Sequence, residues 1–269
     1  MSELEYFKGT ISDKSANTIK AYTTQYNKLY KLLGKDIGDT SQKKLMDTIK
    51  DIDNANSRQA LLNIGILIRT AKSLDIKDLL KYRDSLKVDI KTAQRENNQV
   101  LQETLPTYDE LEEYTESLKG KNDLHFIINY LLMNYNVRNE DLHFKLITRK
   151  KEAKDKSFNY LWLSPRKVEY IRNVYKTADN YGQKLYIIDD KPFMSAVRRL
   201  IKDNWESPTM EQMPYIIKKA TLMGIGEAKY NKIIVNHFRN DIDKLKRISE
   251  RRGTSITTLL DSYDIGNLD

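Results

Sequence analysis

The sequence predicts a mainly α protein with a small antiparallel β-sheet, in two domains: a helical one over 1–98 and an α+β one over 99–269. Three observations carry this. Apolar residues recur at three- and four-residue spacing along most of the chain. The period shortens to two only between about 159 and 188. A polar stretch near residue 100 separates the two apolar-patterned parts. At roughly 100–200 residues per domain, 269 residues leave room for two.

The first helix runs over 15–33, where Ile19, Tyr22, Tyr26, Leu29, Tyr30 and Leu33 form one face. Ser15 is its N-cap and Gly34 its stop. Further helices cover about 41–52 (Leu45 and Ile49 inward), 56–73 (Leu61, Leu62, Ile64, Leu67, Ala71) and 76–95 (Leu79, Leu80, Leu86). Arg95-Glu-Asn-Asn-Gln99 reads as a linker, which places the boundary near 96–105. Pro106 breaks what precedes it, and Thr107 caps a helix through Leu111, Tyr114 and Leu118.

An apolar helix follows over 122–135 and ends at Asn134-Tyr-Asn136, since Asn tolerates a left-handed turn. Three strand-like runs come next: 159–163, 167–171 and 184–188, rich in aromatic and β-branched residues. Tyr160, Trp162 and Tyr170 fit a sheet core. Asp179-Asn-Tyr-Gly182 supplies a turn. Helices resume over about 191–203, 210–221, 226–238, 241–251 and 255–262.

Composition narrows the function classes. The chain has no cysteine, which excludes disulfides, thiolate metal sites and cysteine nucleophiles. Its three histidines (His125, His143, His237) are widely separated and form no metal-ligand cluster in sequence. No stretch approaches the ~18 apolar residues of a membrane span, so no membrane partner is expected. Met1-Ser-Glu-Leu-Glu is acidic and has no apolar run, so a secretory signal is not expected. The expected location is intracellular: cytoplasm, nucleus of a host cell, or virion.

The net charge is +8. Residues 145–156 carry six Lys/Arg against Glu152 and Asp155. Residues 229–252 carry eight (Lys229, Lys232, Arg239, Lys244, Lys246, Arg247, Arg251, Arg252) against three acids. Either run alone reads as a solvated face. Flanking the candidate residues below, the pair points to phosphate contact.

Leu131-Leu-Met-Asn-Tyr-Asn-Val-Arg138-Asn-Glu-Asp141-Leu142 resembles the first catalytic box of the tyrosine recombinases, the phage-integrase family. There too an apolar helix ends in a tight turn and an Arg, followed by an acid and a Leu. Val174-Tyr-Lys176-Thr177 resembles the family's β-hairpin lysine in its Lys-Thr context. Gly253-Thr254-Ser255, with Tyr263 nine residues after Thr254, is similar to the spacing between the family's Gly-His pair and its tyrosine. Ser15-Ala-Asn-Thr18-Ile19-Lys20-Ala21-Tyr22 resembles the opening of the family's core-binding domain. The likeness is to divergent members, as found in large DNA viruses and mobile elements.

The resemblance implies a recombinase-like architecture, with a DNA-binding core-binding domain over 1–98 and a catalytic domain over 99–269. It implies a site-specific recombinase or integrase that cleaves and rejoins DNA strands through a 3′-phosphotyrosyl intermediate. Arg138 would clamp the phosphate, Lys176 would be the general acid and Tyr263 the nucleophile. Asp141 is expected to orient Arg138 or cap a helix rather than act on substrate. A transferable phosphotyrosyl bond conserves the energy for rejoining. Guanidinium groups match the charged transition state, and a lysine protonates the leaving 5′-oxygen. Fixed cations serve where a metal otherwise would, so no metal and no cofactor are expected.

The third box departs from the family. Its second arginine, about two dozen residues before the Gly-His position, falls on Lys232, with Lys229 in place of the histidine. Arg239, only 15 residues before Thr254, is the rival. Thr254 stands where the family has histidine; its hydroxyl can donate but carries no charge, and Arg251 or Arg252 could compensate. Two alternatives follow: a catalytically degenerate architectural DNA-binding protein, or a type IB topoisomerase-like enzyme. Recombination requires copies to associate on DNA. The stretch Asp264–Asp269 is short, so exchange of a long C-terminal helix is not expected.

Overall fold

The computed structural model describes residues 1–265, with Arg95 described by its backbone alone. The chain forms two compact units, Met1–Asn97 and Asn98–Asp269. Residues 266–269 of the stretch after Tyr263 lie outside the described residues. No helix among the described residues is long and apolar enough to cross a membrane.

The first unit contains α1 (Glu3–Thr10), α2 (Ala16–Leu33), α3 (Gln42–Lys50), α4 (Ala55–Ala71) and the start of α5 (Lys77–Thr104). The Ser15 hydroxyl accepts the Thr18 N–H, and Gly34 ends α2 in the left-handed region at φ 68°. Phe7, Tyr26, Leu29, Ile37, Leu45, Leu61 and Ile68 fill the core. α1 was not expected from the sequence. Its Glu3 is buried, and its carboxylate accepts the N–H groups of Ile37 and Gly38 and pairs with Lys72 at 2.7 Å.

The expected linker at 95–99 is helical instead. Polarity does not break a helix, and α5 contains neither Gly nor Pro between Lys77 and Thr104. Pro106 sets the limit.

The second unit opens with α6 (Tyr108–Ser117), capped by a reciprocal Thr107–Glu110 box, and α7 (Asp123–Tyr135). Then come β1 (Phe144–Ile147), β2 (Asn159–Leu163), β3 (Val168–Arg172), the short α8 (Ala178–Tyr181) and β4 (Lys184–Ile188). The helices α9 (Lys191–Lys202), α10 (Met213–Ala220), α11 (Glu227–His237), α12 (Ile242–Arg252) and α13 (Ile256–Tyr263) complete it.

The sheet is mixed rather than antiparallel. Its order is β1-β2-β3-β4; β2–β3 and β3–β4 are antiparallel, but β1 runs parallel to β2. β1 is four residues long, too short to stand out as a run. The parallel crossover is made by residues 148–158, which fold over one face of the sheet. There Ile147, Tyr160 and Ile171 form a small cluster with Phe158 and Trp162. The other face buries Phe144, Leu161, Val168, Tyr170 and Ile188 against α7 and α9. β3 is therefore buried along its whole length. α7 also packs on α10, and α11 on α13.

Candidate active site

The site is built where the end of α7, the β3–β4 pair and the end of α12 converge. α7 stops because Asn136 turns left-handed (φ 51°, ψ 42°). Two residues later Arg138 is half-buried. Its backbone N–H donates to Asp141 Oδ2 at 2.7 Å, and its Nη1 donates to the Arg252 carbonyl at 2.7 Å.

Arg252, the last residue of α12, returns the contact. Its Nη1 donates to the Asn136 carbonyl at 3.0 Å. Its Nη2 donates to Glu227 Oε1 at 2.9 Å and to the Tyr263 hydroxyl oxygen at 2.6 Å. Its guanidinium also lies over the Tyr263 ring, 4.7 Å from the centroid. The side chain is 1% exposed. Glu227 is held in turn by Asn231 Nδ2, one turn further along α11.

Gly253 ends α12 at φ 63°. A Cβ there would stand 2.2 Å from Thr177 Oγ1, so this position needs glycine for its backbone angle and for the close approach of the β3–β4 connection. The Thr254 N–H bonds back to the Ser249 carbonyl at 3.0 Å, which directs the chain into α13 and Tyr263.

Beneath Arg138 lies a buried ion pair. Arg172 Nη2 donates to Asp141 Oδ2, and both side chains are 0% exposed. Arg172 Nη1 donates to the Arg251 carbonyl at 3.0 Å. Across the ladder Arg172 faces Lys184. The Lys184 ammonium donates to the carbonyls of Glu250 and Arg251 at the end of α12. Burial pushes its pKa below the ordinary lysine value, and the charges of Arg172 and Arg138 add to this against Asp141 and Glu250. Arg138 is likewise pushed down, first by burial and then by Arg252.

The structure thus brings together Arg138, Arg252 and Tyr263. Asp141 does hold Arg138, through the backbone N–H rather than the guanidinium. Lys176 is exposed on the turn after β3, where its backbone N–H meets the Glu140 carboxylate. Lys229 is exposed on α11. Lys232 points elsewhere: its Nζ is 3.2 Å from Asn98 Oδ1. Arg239 stands 3.8 Å from Asp264. Thr254 is half-buried at the start of the α12–α13 turn.

Sequence reasoning missed three groups here: Arg172, Lys184 and Glu227. A signal existed for the first two. Val168, Tyr170 and Arg172 alternate on one strand, and Lys184, Tyr186 and Ile188 on the next, so both cations belong to the inward face. Glu227 gave no such signal, because an acid in the first turn of a helix is ordinary.

Chemically, this is a cationic site that holds the Tyr263 hydroxyl. Guanidinium groups can neutralise a phosphate, the phenol can attack it, and a lysine of lowered pKa can release a proton.

Comparison with solved structures matches the chain to a crystal structure of XerA recombinase, at 12% identity and a TM-score of 0.39, covering 98% of this chain and 94% of that one. No family model matches the sequence. No curated protein matches it either.

Proposed function

We propose that this chain cleaves and rejoins DNA strands by tyrosine transfer. The Tyr263 oxygen attacks a backbone phosphorus as its phenolic proton passes to solvent, the bond from phosphorus to the 5′-oxygen breaks, and a 3′-phosphotyrosyl link forms. Arg138 and Arg252 neutralise the phosphate oxygens in the transition state. Lys184, rather than Lys176, gives its proton to the departing 5′-oxygen. Rejoining is the reverse, with a 5′-hydroxyl displacing Tyr263. Duplex DNA is the substrate, and copies of the chain assemble on it to exchange strands.

The observation that carries this reading is the hydrogen bond from Arg252 Nη2 to the Tyr263 oxygen, with Arg138 bonded to the Arg252 backbone. A charge-assisted donor at that oxygen favours negative charge there as the phenolic proton leaves. The sequence resemblance of the Arg138 box and the Gly253–Tyr263 spacing supports the same assignment.

One observation favours the rival, a DNA-binding protein that no longer cuts. The Arg252 side chain is 1% exposed and already bonded to Glu227 and Tyr263. It reaches a phosphate only if one of those contacts opens.

A pool of duplexes of randomised sequence, each with a nick near its centre, separates the two. Cleavage beside a nick releases a short fragment and traps the covalent complex. The proposal expects an adduct that survives denaturing electrophoresis and is lost in Tyr263→Phe. DNA binding with no adduct, or an adduct unchanged in Tyr263→Phe, would overturn it.

A further inference from the structure

A polar cavity of about 140 Å³ opens beside the end of α7, between α11 and α12. Its lining includes Asn136, Lys244, Arg247 and Arg251. The three cations recur at three- and four-residue spacing on α12, so they share one face. Among the described residues, none of the three pairs with a carboxylate within salt-bridge distance. Lys244 lies over the Phe238 ring at 5.3 Å and Arg251 over the Tyr135 ring at 5.4 Å. Like charges gathered on one face repel.

Asn136 supplies the second observation. It is 1% exposed, and neither its side-chain oxygen nor its nitrogen has a hydrogen-bond partner. Its backbone carbonyl serves Arg252. The amide is therefore a buried donor and acceptor without a partner, on a residue that lines the cavity, and such groups carry a cost unless something bonds to them.

We infer that this cavity binds a phosphate group. Organic ligands occupy pockets of about 300–1,000 Å³, so a cavity this small suits an ion-sized group. A tetrahedral oxyanion offers enough acceptor atoms to take a guanidinium fork, an ammonium and the Asn136 amide together, which the two oxygens of a carboxylate do not. The phosphate belongs either to a DNA backbone lying across α12 or to a free phosphorylated molecule. The inference stands apart from tyrosine chemistry, because it requires no cleavage.

Two variants test it. Asn136→Gly keeps the left-handed turn and the carbonyl to Arg252 but removes the amide. Arg247→Gln removes an exposed charge and leaves the core untouched. In the first arm, inorganic phosphate is titrated against the full chain, with sodium chloride at matched ionic strength as control, and the melting temperature is read. In the second, affinity for a duplex is measured over a range of salt.

A phosphate-dependent rise in the wild type that both variants lose, with an unchanged salt slope, assigns the site to a free phosphorylated molecule. A salt slope that falls by about one in Arg247→Gln assigns it to the DNA backbone. If phosphate stabilises wild type and variants alike, or not at all, and the salt slope is unchanged, the inference is overturned.

Discussion

The buried pair under Arg138 sets up a sharp test. Asp141→Asn keeps the shape of the side chain and leaves an oxygen to accept the Arg138 N–H. It removes only the charge, and so strands the Arg172 guanidinium in a site that is 0% exposed. Breaking a buried ion pair from one side costs about 3–5 kcal/mol. Arg172 keeps the Arg251 carbonyl and the ring faces of Tyr175 and Tyr186, which argues for the lower end. For a unit of this size, about 3 kcal/mol corresponds to about 6–12 °C in melting temperature. Thermal unfolding followed by circular dichroism reads this directly. Adding Arg172→Met should recover much of the loss, since no buried charge then remains. A fall of less than about 2 °C in Asp141→Asn would refute the assignment of a charged, solvent-free pair.

Four further outcomes follow, three of them from the same site. Lys184→Ala should slow cleavage by about 10²–10⁴-fold, and a substrate with sulfur in place of the 5′-oxygen should restore it, because a thiolate leaves without a proton; Lys176→Ala should do neither. A lysine acid works only while protonated, so cleavage should fall as pH rises through the Lys184 pKa, which lies below 10.5; a rate that climbs steadily to pH 10.5 would contradict this. Gly253→Ala should destabilise the second unit, and adding Thr177→Ala should relieve the clash but leave a cost of about 1–2 kcal/mol for the left-handed backbone. In the first unit, burial of Glu3 opposes its ionisation, but Lys72 and the N–H groups of Gly38 and Ile37 win and hold its pKa below 4.5. The charged form stabilises the fold fully above that value, so stability should drop as pH falls through the lowered pKa; Glu3→Gln should flatten that dependence in acid titrations.

Much of the fold was legible in the sequence because its signals are local. Ser15 and Gly34 bracket a helix by chemistry at its ends. Asn136 stops α7 because few other residues accept its backbone angles. β2 and β4 are long enough for alternation to show. β1 is not, and its partner lies across a crossover, so neither its existence nor its direction could be read from neighbours. The linker expected at 95–99 failed for the opposite reason: composition was read where only Gly or Pro would have decided.

The site was less legible because it depends on which face a residue takes. Counting back from Thr254 leads to Lys232 but ignores rotation about α11. Glu227 and Asn231 share the face turned to Arg252, whereas Lys232, five residues from Glu227, lies about 140° round. Arg252 sat in a basic run that resembles a solvated surface, yet it is the most enclosed cation of that run. Lys184, which the proposal takes in place of Lys176, was legible in the sequence, because alternation along β4 turns it to the inward face.

The central claim is that one hydroxyl, that of Tyr263, takes up the DNA. The chain has 17 tyrosines. After trypsin digestion of a trapped complex, the fragment that begins at Gly253 contains Tyr263 and no other tyrosine as far as residue 269. Mass spectrometry should find the nucleotide on that fragment. A nucleotide carried by any other tyrosine would contradict the account.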